Sequence, residues 1–222
     1  MRPTALITGA GGGIGSAIAA ALAPTHSLLL AGRPSARLDR LAEQLGATTW
    51  PLDLTDLDEI EAHSEIVDHL GVLVHNAGVM LPDSAGQSSL DQWRATFEVN
   101  VFGAVALTLA LLPALRAAHG HVVFINSGAG QRVSTGMASY SASKFALRAF
   151  ADSLRADEPQ LRVTTIYPGR VDTDMQRDLV AYEGGDYDSA RFLRPATVAE
   201  VVTAAVHTPA EAQLHEVTIR PR

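Results

Sequence analysis

Short apolar runs alternate with longer amphipathic stretches along the whole chain. The apolar runs predict strands over residues 5–8, 27–31, 48–52, 72–75, 121–126, 162–166 and 216–219. The amphipathic stretches predict helices over residues 15–22, 35–45, 57–69, 90–118, 138–158 and 197–207. Nearly all-apolar strands are buried on both faces, and strict alternation with helices implies right-handed crossovers. The pattern therefore predicts an α/β fold, a doubly wound and mostly parallel seven-stranded sheet with helices on both faces.

The length and composition of the chain are those of a single domain. The chain has 222 residues, of which 47% are apolar, so it can bury a substantial core. We therefore predict one domain over residues 1–222. Residues 171–195 show no clear periodicity and are longer than an ordinary connection, so we predict either a substrate-binding lid or a partly mobile segment there.

Charge and cysteine content narrow the possible partners. A formal net charge of -7 argues against nucleic acid and favours a small ligand. The chain contains no cysteine, so disulfides and thiolate metal sites are excluded, and we predict no metal. The first residues carry no basic segment followed by a long apolar one, so we expect a cytoplasmic protein. Gly103 and Pro113 interrupt the apolar stretch 101–115, so we expect no membrane span.

A glycine-rich string follows the first predicted strand and precedes a helix of small residues. In the run Thr8-Gly9-Ala10-Gly11-Gly12-Gly13-Ile14-Gly15, glycines allow a sharp turn and a close approach to a pyrophosphate. The helix that follows offers unpaired N–H groups to the anion. A plain turn of small residues is the alternative, but the flanking strand and helix favour a Rossmann-type phosphate site. We assign cofactor contacts to Thr8, Gly9, Gly13, Ile14 and Gly15.

The end of the second predicted strand bears on the choice of cofactor. Many NAD sites carry an acidic side chain there, which accepts a hydrogen bond from the ribose 2′-OH, but this chain has Gly32 followed by Arg33. A guanidinium favours a 2′-phosphate, so we predict that NADP(H) is preferred and that NAD remains possible. The alternative is that Arg33 is a solvated loop charge. Arg37, one helical turn further on, either assists or lies on the surface.

Lys144 is the only lysine in a chain that carries sixteen arginines. It follows Tyr140 by four residues, a spacing that places both side chains on one helix face. An ammonium is a compact charge with rotatable donors, unlike the planar fork of arginine, so the exception indicates chemistry that needs lysine. Chance also produces such a pair, so this spacing alone is weak evidence.

Together these motifs resemble the short-chain dehydrogenase/reductase family in its compact single-domain branch. Gly9, Gly13 and Gly15 match the GxxxGxG pattern of that branch. Asp53 stands where the family contacts the adenine amino group. The run His75-Asn76-Ala77-Gly78 resembles the NNAG element, with His75 in place of the first Asn, and we interpret His75 as structural rather than catalytic.

The resemblance extends to the second half of the chain. Asn100 matches a helix-interior asparagine that organises a water beside the catalytic lysine. Ser127 precedes Tyr140 by thirteen residues, as the catalytic serine of the family does. The run from Tyr167 to Thr173 resembles the PGxVxT element, and the resemblance implies that Thr173 and Val171 contact the nicotinamide carboxamide. The implied catalytic residues are Ser127, Tyr140, Lys144 and Asn100, and the implied further cofactor contacts are Asp53, Asn76, Ala77, Gly78, Tyr140, Lys144, Pro168, Gly169, Val171 and Thr173.

The resemblance implies an NAD(P)-dependent oxidoreductase that interconverts an alcohol and a ketone or aldehyde. Tyr140 would be the acid/base. A free phenol has a pKa of about 10, and an ammonium about 4 Å away supplies roughly the 4 kcal/mol needed to lower that value towards neutrality. The remaining donors of Lys144 would hold the nicotinamide ribose, and Ser127 would hydrogen-bond the substrate oxygen.

Two other functions remain open, as do the substrate and the assembly state. A non-catalytic NADP-binding sensor or scaffold uses the same fold, as does an isomerase or lyase. Apolar residues of the segment 171–195 suggest a moderately apolar carbonyl or alcohol substrate, with acidic residues at a rim. In the resembling family, helices corresponding to residues 90–118 and 138–158 build a dimer, so we expect a homodimer or homotetramer. The residues of this suggested cleft and rim are Met175, Leu179, Tyr182, Tyr187, Phe192, Glu183, Asp186 and Asp188.

Overall fold

The computed structural model describes residues 2–222 and contains one parallel sheet of seven strands. The strand order is β3-β2-β1-β4-β5-β6-β7, and every neighbouring pair is parallel. The strands are β1 Thr4–Thr8, β2 Ser27–Gly32, β3 Thr48–Pro51, β4 Val72–His75, β5 His121–Ile125, β6 Arg162–Pro168 and β7 Glu216–Ile219. All seven predicted strands are confirmed to within a few residues, and the sheet is entirely parallel.

The helices connect successive strands. They are α1 Gly13–Leu22, α2 Ala36–Leu45, α3 Leu57–Ser64, α4 Leu90–Phe97, α5 Gly103–Ala117, α6 Ala138–Asp157, α7 Asp174–Tyr182 and α8 Pro195–Val206. A π turn at Glu98–Phe102 joins α4 to α5, and single 3-10 turns lie at Gly128–Gly130 and Ser189–Arg191. The six predicted helices are present, although α3 is shorter than the pattern predicts.

Helix α7 lies inside the segment 171–195, where the sequence pattern predicts no regular structure. Thr173 caps this helix, since its side chain accepts a hydrogen bond from the backbone N–H of Gln176, and Asp174 lies in the first turn. Only Gln176, Leu179 and Val180 are buried, so the apolar periodicity is weak over its 9 residues. The sequence signal that could have identified this helix is a threonine at the N-cap position followed by an acidic residue.

Two apolar cores lie on opposite faces of the sheet. On one face, Leu73 and Phe124 pack with Leu107 of α5 and Leu147 of α6. The strand residues that alternate with these face the other side of the sheet, where they pack against α1, α2 and α8. This second core includes Ile7 and Val74 of the strands and Ile18, Leu38 and Val202 of the helices. Burial on both faces explains why the strands are almost wholly apolar.

The strand order reverses at the boundary between β1 and β4. From β1 the chain moves outward through β2 and β3, and it then returns to place β4 on the other side of β1. The turns that follow Thr8 and His75 consequently lie side by side at the carboxyl edge of the sheet. Open α/β sheets bind ligands in the crevice at such a reversal.

The helical run from Leu90 to Ala117 matches the helix predicted over residues 90–118. Neither Gly103 nor Pro113 breaks it, and it spans 28 residues, with a mean hydropathy of 1.8 over its most apolar window of 18 residues. The expectation that this stretch falls short of a membrane span is therefore wrong in terms of length and composition. Half of its most apolar window is nevertheless buried within the protein, and a buried core helix passes the same test. Gly103 lies in close contact with Leu54, where a side chain would collide with the backbone.

Candidate functional site

The glycine turn after β1 is tightly folded against the turn after β4. Gly9 has a φ of 63°, in the left-handed region that favours glycine, and its carbonyl accepts the N–H of Gly12 at 3.0 Å. A Cβ on Gly15 would lie only 2.3 Å from the carbonyl oxygen of Gly9. Glycine is therefore required at both positions for the helix to begin this close to the strand.

The first turn of α1 is open to an anion. Its N-cap residue is Gly12, and no side chain among residues 2–222 caps it, whereas Ser35 caps α2. The first N–H groups of a helix have no partner within the helix, and the helix dipole places partial positive charge there. This uncapped start, directly after a glycine turn, fits the pyrophosphate of a dinucleotide. Gly13, Ile14 and Gly15 occupy this first turn, as the sequence predicts.

Thr8 and Asn76 hold the two turns together. The Oγ1 atom of Thr8 accepts hydrogen bonds from the backbone N–H groups of Asn76 and Ala77, both at 3.0 Å, and donates one to the carbonyl of Val74. The Nδ2 atom of Asn76 donates to the carbonyl oxygens of Thr8 at 3.0 Å and Gly9 at 3.2 Å. The hydroxyl of Thr8 and the Nδ2 of Asn76 are thus engaged with the backbone, so these predicted cofactor residues help to shape the site.

Three predicted residues lie at the ends of β2 and β3 and in α2. Arg33 is exposed, with no carboxylate of residues 2–222 within ion-pair distance. Arg37, in contrast, forms an ion pair with Asp174 at 3.1 Å. Hydrogen bonds from the backbone and side chain of Thr55 lower the pKa of Asp53, and the charge of Arg33 contributes. Arg33 is therefore the cation available to a ligand here.

The predicted catalytic residues converge where β5 and α6 meet. Ser127 follows β5, and its Oγ accepts the backbone N–H of Ala129 at 3.1 Å. Tyr140 and Lys144 lie one helical turn apart on α6, and both are buried. The Nζ of Lys144 lies 5.7 Å from the centre of the Tyr140 ring and donates to the carbonyl of Ile125 at 3.3 Å.

Asn100 reaches this cluster from the π turn. Its Oδ1 accepts the N–H of Val79 at 2.8 Å, and its Nδ2 donates to the carbonyl of Val79 and to Ser143 Oγ. A Cβ on Gly78 would lie 3.2 Å from Asn100 Oδ1 and 3.6 Å from Lys144 Nζ. Asn100 therefore links the turn after β4 to α6, next to the ammonium. Its side-chain amide has partners on the backbone of Val79 and on Ser143.

Asn126 carries more of this local structure than its sequence position suggests. Its Oδ1 accepts the N–H of Ser127 at 2.8 Å, and its Nδ2 donates to the carbonyl of Lys144 at 3.0 Å. One amide thus fixes Ser127 relative to α6. The sequence analysis does not assign a role to this position, and a buried polar residue at a strand end was the signal that could have identified it.

Burial governs the ionisation of the catalytic pair. Burial raises the pKa of Tyr140 above its ordinary value, and the side chain of Ser127 opposes that rise. Burial also lowers the pKa of Lys144 to about 8. The expected net lowering of the Tyr140 pKa is therefore wrong for this structure, because desolvation of the phenol outweighs the attraction of the ammonium, which is directed at Ile125.

His75 is a structural residue, as we interpret it from the sequence. Its Nε2 lies 2.8 Å from Thr108 Oγ1, and its ring stacks on Phe124 with centres 4.9 Å apart. Burial lowers its pKa to about 3, so the imidazole is neutral at physiological pH. His121 pairs in the same way with Thr164, and its pKa is also lowered to about 3 by burial.

A cleft of about 600 Å³ opens over Ser127 and Tyr140. The element after β6 supplies part of its wall, and the side chain of Thr173 packs against Gly13 of the glycine turn. The hydroxyl of Thr173 caps α7 and donates to the carbonyl of Val171 at 3.2 Å. The predicted residues brought together in this cleft are Ile14, Ser127, Tyr140, Pro168, Gly169, Val171 and Thr173.

The segment 171–195 forms part of the cleft wall, but only some of the apolar residues suggested from the sequence line the cleft. Met175 and Leu179 line the cleft, but Tyr182, Tyr187 and Phe192 do not. Arginine side chains stack on the last two rings instead, with Arg177 lying 4.1 Å from the Tyr187 ring centre and Arg170 5.3 Å from that of Phe192.

Three arginines border the cleft, and the sequence pattern does not indicate them as a group. Arg132 follows β5, Arg170 follows β6 and Arg220 follows β7. They are distant in sequence and come together only because β5, β6 and β7 are adjacent in the sheet. Over residues 2–222, no cluster of three or more metal-ligating side chains is present.

Comparisons with known proteins agree with this geometry. A family model described as short chain dehydrogenase matches residues 3–184. An uncharacterized oxidoreductase of Staphylococcus epidermidis is 33% identical over 98% of this chain and 96% of its own length. Glycine betaine reductase ATRR of Emericella nidulans is 36% identical, and this chain spans only 18% of that protein. An alcohol dehydrogenase of Thermococcus sibiricus, solved with 5-hydroxy-NADP, superposes with a TM-score of 0.90 at 27% identity, covering 100% of this chain and 97% of the other.

Proposed function

This chain belongs to the short-chain dehydrogenase/reductase family of oxidoreductases, and from that premise we propose that it interconverts an alcohol and a ketone or aldehyde with NADP(H). One observation carries the proposal. Ser127 and Tyr140 border one cleft, Lys144 is buried behind Tyr140, and the uncapped start of α1 borders the same cleft through Ile14. A proton donor, a hydrogen-bond donor for the substrate oxygen and an anion site are thus contiguous.

The ionisation states suit the reduction of a carbonyl. When bound, the nicotinamide cofactor supplies or accepts the hydride. Because the pKa of Tyr140 is raised, its phenol is protonated at neutral pH and can give its proton to the substrate oxygen. Lys144, with a pKa of about 8, is mostly an ammonium at pH 7 and stabilises the phenolate that proton transfer leaves behind. The hydroxyl of Ser127 donates to the same substrate oxygen.

Other residues would hold the cofactor. The N–H groups at the start of α1 would bind the pyrophosphate, and Arg33 would bind a 2′-phosphate at the end of β2. The structural neighbour from Thermococcus sibiricus was solved with an NADP derivative, which supports the assignment of NADP(H). NAD(H) remains a second cofactor to be measured. Lys144 would hold the nicotinamide ribose, and Thr173 the carboxamide.

A non-catalytic NADP-binding sensor or scaffold is the alternative function. Such a protein needs the glycine turn but has no need for Ser127, Tyr140 and Lys144 in one cleft. The presence of all three therefore favours catalysis. An isomerase or lyase on the same fold would consume its substrate with no net change in the absorbance of the cofactor.

We also propose that the protein assembles as a homodimer or homotetramer through the faces of α5 and α6. Large apolar side chains are exposed on these helices and directly before α5: Leu109 at 57% on α5, Phe145 at 40% on α6 and Phe102 at 52% at the end of the π turn. Exposed apolar clusters of this kind mark interaction surfaces. Sedimentation of the purified protein measures the assembly state, and a monomer at micromolar concentration would contradict this proposal.

The function is tested with a panel of ketones, aldehydes and alcohols, monitored by the absorbance of NADPH and NADH. We expect turnover of at least one carbonyl class and a higher kcat/KM with NADPH. Cofactor binding without turnover of any compound would favour the sensor. Substrate loss without a change in absorbance would favour the isomerase or lyase.

A further inference from the structure

Arg220 reaches over the cleft from the segment that follows β7. Its side chain runs between two glycines, one directly after Ser127 and one in the predicted element from Tyr167 to Thr173. A Cβ on Gly128, the residue after Ser127, would lie 3.1 Å from the Nη2 of Arg220, and a Cβ on Gly169 would lie 3.2 Å from its Cδ. Both positions lack a side chain where the arginine passes. The guanidinium is therefore held close to Ser127.

Backbone carbonyls and an amide fix this guanidinium. Its Nη1 donates to the carbonyl oxygens of Tyr167 at 2.6 Å and Ile219 at 2.9 Å, and its Nη2 donates to Gln131 Oε1 at 3.1 Å. No carboxylate in the described part of the chain lies within 4 Å of it. A guanidinium has five N–H groups, so donors are left over after these three bonds. Arg220 is thus oriented but not neutralised.

The charge of the cleft is opposite to that of the whole protein. Arg132, Arg170 and Arg220 border it together with one carboxylate among residues 2–222, that of Glu183. Arg170 and Glu183 form an ion pair at 2.7 Å, which leaves Arg132 and Arg220 as uncompensated cations. The chain as a whole carries -7. A positive cleft in an acidic protein attracts an anion to the place where Ser127 and Tyr140 act.

We propose that the substrate carries a carboxylate, which Arg220 binds with support from Arg132. This inference rests on the proposed function and specifies its substrate as an oxo acid in one direction and a hydroxy acid in the other. In the reduction, the carbonyl carbon gains a hydride and the carbonyl oxygen gains the proton of Tyr140. NADPH is oxidised to NADP⁺, the C=O bond becomes C–OH, and the carboxylate is unchanged.

The anion bound by Arg220 is distinct from the phosphates of the cofactor. The pyrophosphate site at the start of α1 adjoins a second depression, which Gly13, Ser16 and Arg37 border and Arg220 does not. Arg220 instead lies against Gly128 and Gly169, beside the residues that act on the substrate. The loss of Arg220 should therefore raise the KM for the acid and leave the KM for NADPH unchanged.

The experiment compares short-chain 2-hydroxy and 3-hydroxy acids, and the matching oxo acids, with their methyl esters. The ester retains the reacting carbon and removes the negative charge. For the wild-type protein we expect kcat/KM to be about 10- to 100-fold higher for an acid than for its ester, the range of a charged hydrogen-bonded contact. The KM for the acid should also rise with added NaCl, because salt screens the attraction.

Three variants complete the test. Arg220→Gln should raise the KM for the acid about 10- to 100-fold and leave turnover of the ester within about 2-fold of wild type, and the ester reports that the variant is folded. Arg132→Gln removes a guanidinium that borders the cleft and forms no ion pair within residues 2–222, and it should raise the KM for the acid by about 2- to 5-fold. Arg222→Gln is the matched control, because Arg222 is exposed and lies outside the cleft, and it should leave the KM and kcat for both substrates unchanged.

The outcomes separate this inference from the proposed function. If esters are turned over as well as acids, or if Arg220→Gln lowers kcat/KM equally for both, the carboxylate site is overturned and the oxidoreductase stands. If no alcohol or carbonyl is turned over with either cofactor, both fail. If Arg220→Gln lowers activity selectively towards the acid and leaves the kinetics for NADPH unchanged, the result supports the carboxylate site.

Discussion

The ammonium of Lys144 donates a hydrogen bond to the main-chain carbonyl of Ile125, 3.3 Å away at the end of β5. A neutral carbonyl compensates a buried charge only in part, which is why burial lowers the pKa of this lysine to about 8. Burial raises the pKa of the proposed acid, Tyr140, above its ordinary value. Lys144 is therefore the group of this pair whose charge changes close to neutral pH.

We predict that kcat/KM for carbonyl reduction falls as the pH rises through about 8. Below this value Lys144 is charged and stabilises the phenolate, and above it the ammonium is lost while Tyr140 remains protonated. The measurement is a pH profile of kcat/KM, which reports groups of the free enzyme. A profile that stays flat from about pH 7 to about pH 9.5 would contradict the assignment.

Replacement of Lys144 by Met should stabilise the protein while abolishing its activity. The pKa of Lys144 is lowered from an ordinary 10.5 to about 8. At neutral pH the buried charge of Lys144 therefore lowers the free energy of unfolding by up to about 3 kcal/mol. This penalty decreases as the pH rises from about 8, the pKa in the folded state, towards 10.5, the pKa in the unfolded state. Urea unfolding without cofactor should give Lys144→Met a higher free energy of unfolding at pH 7 and a smaller advantage at about pH 10.

The companion variant Lys144→Arg retains the charge and should also lose most of its activity. The planar guanidinium cannot occupy the volume that Lys144 fills beside Gly78 and Ile125. A steady-state assay with saturating NADPH is the check. Near-normal activity would show that any cation suffices at this position.

Tyr140→Phe should lower turnover by on the order of 10³-fold or more, because it removes the proton donor and retains the ring. Binding of NADPH, followed by fluorescence titration, should change little. Tyr182→Phe is the matched control, since Tyr182 is 56% exposed on α7 and lies outside the cleft. A wild-type rate for Tyr140→Phe would refute its role.

Arg33→Ala should raise the KM for NADPH by about 10-fold and leave the KM for NADH unchanged, because only NADPH carries the 2′-phosphate. Arg37→Ala should have a smaller effect, since Asp174 already pairs with Arg37. The readout is the ratio of kcat/KM for the two cofactors. An equal change for both would show that Arg33 does not discriminate between them.

The buried histidines should make the protein sensitive to acid. Burial lowers the pKa values of His75 and His121 from 6.5 to about 3. As the pH falls below 6.5, the unfolded state therefore binds more protons than the folded state does. At about pH 5 each histidine should remove about 2 kcal/mol of stability. His75→Asn should remove about half of this acid-dependent loss in urea unfolding. The surface replacement His69→Asn is the control, and an unchanged pH dependence in His75→Asn would contradict the assignment.

The parts of the site that local sequence determines are predictable, and those that depend on the sheet are not. The glycine spacing at Gly9 and Gly15 and the helical spacing of Tyr140 and Lys144 are local, and the structure places them as predicted. The upward direction of the Tyr140 pKa depends on burial by distant elements. Arg220 reaches Gly128 only because β7 pairs with β6 and β6 with β5, and no periodicity records that pairing.

The π turn at Glu98–Phe102 constrains the number of residues in the helix that contains it. In an ordinary helix each residue advances the chain by about 100°, so deleting one residue here would rotate the following turns by about that angle. Asn100 would then face away from Val79 and Ser143, although every other amino acid was retained. Single-residue indels between positions 98 and 102 should accordingly be far more damaging than indels in the loop around Gly184, because length at the π turn sets which way the amide points.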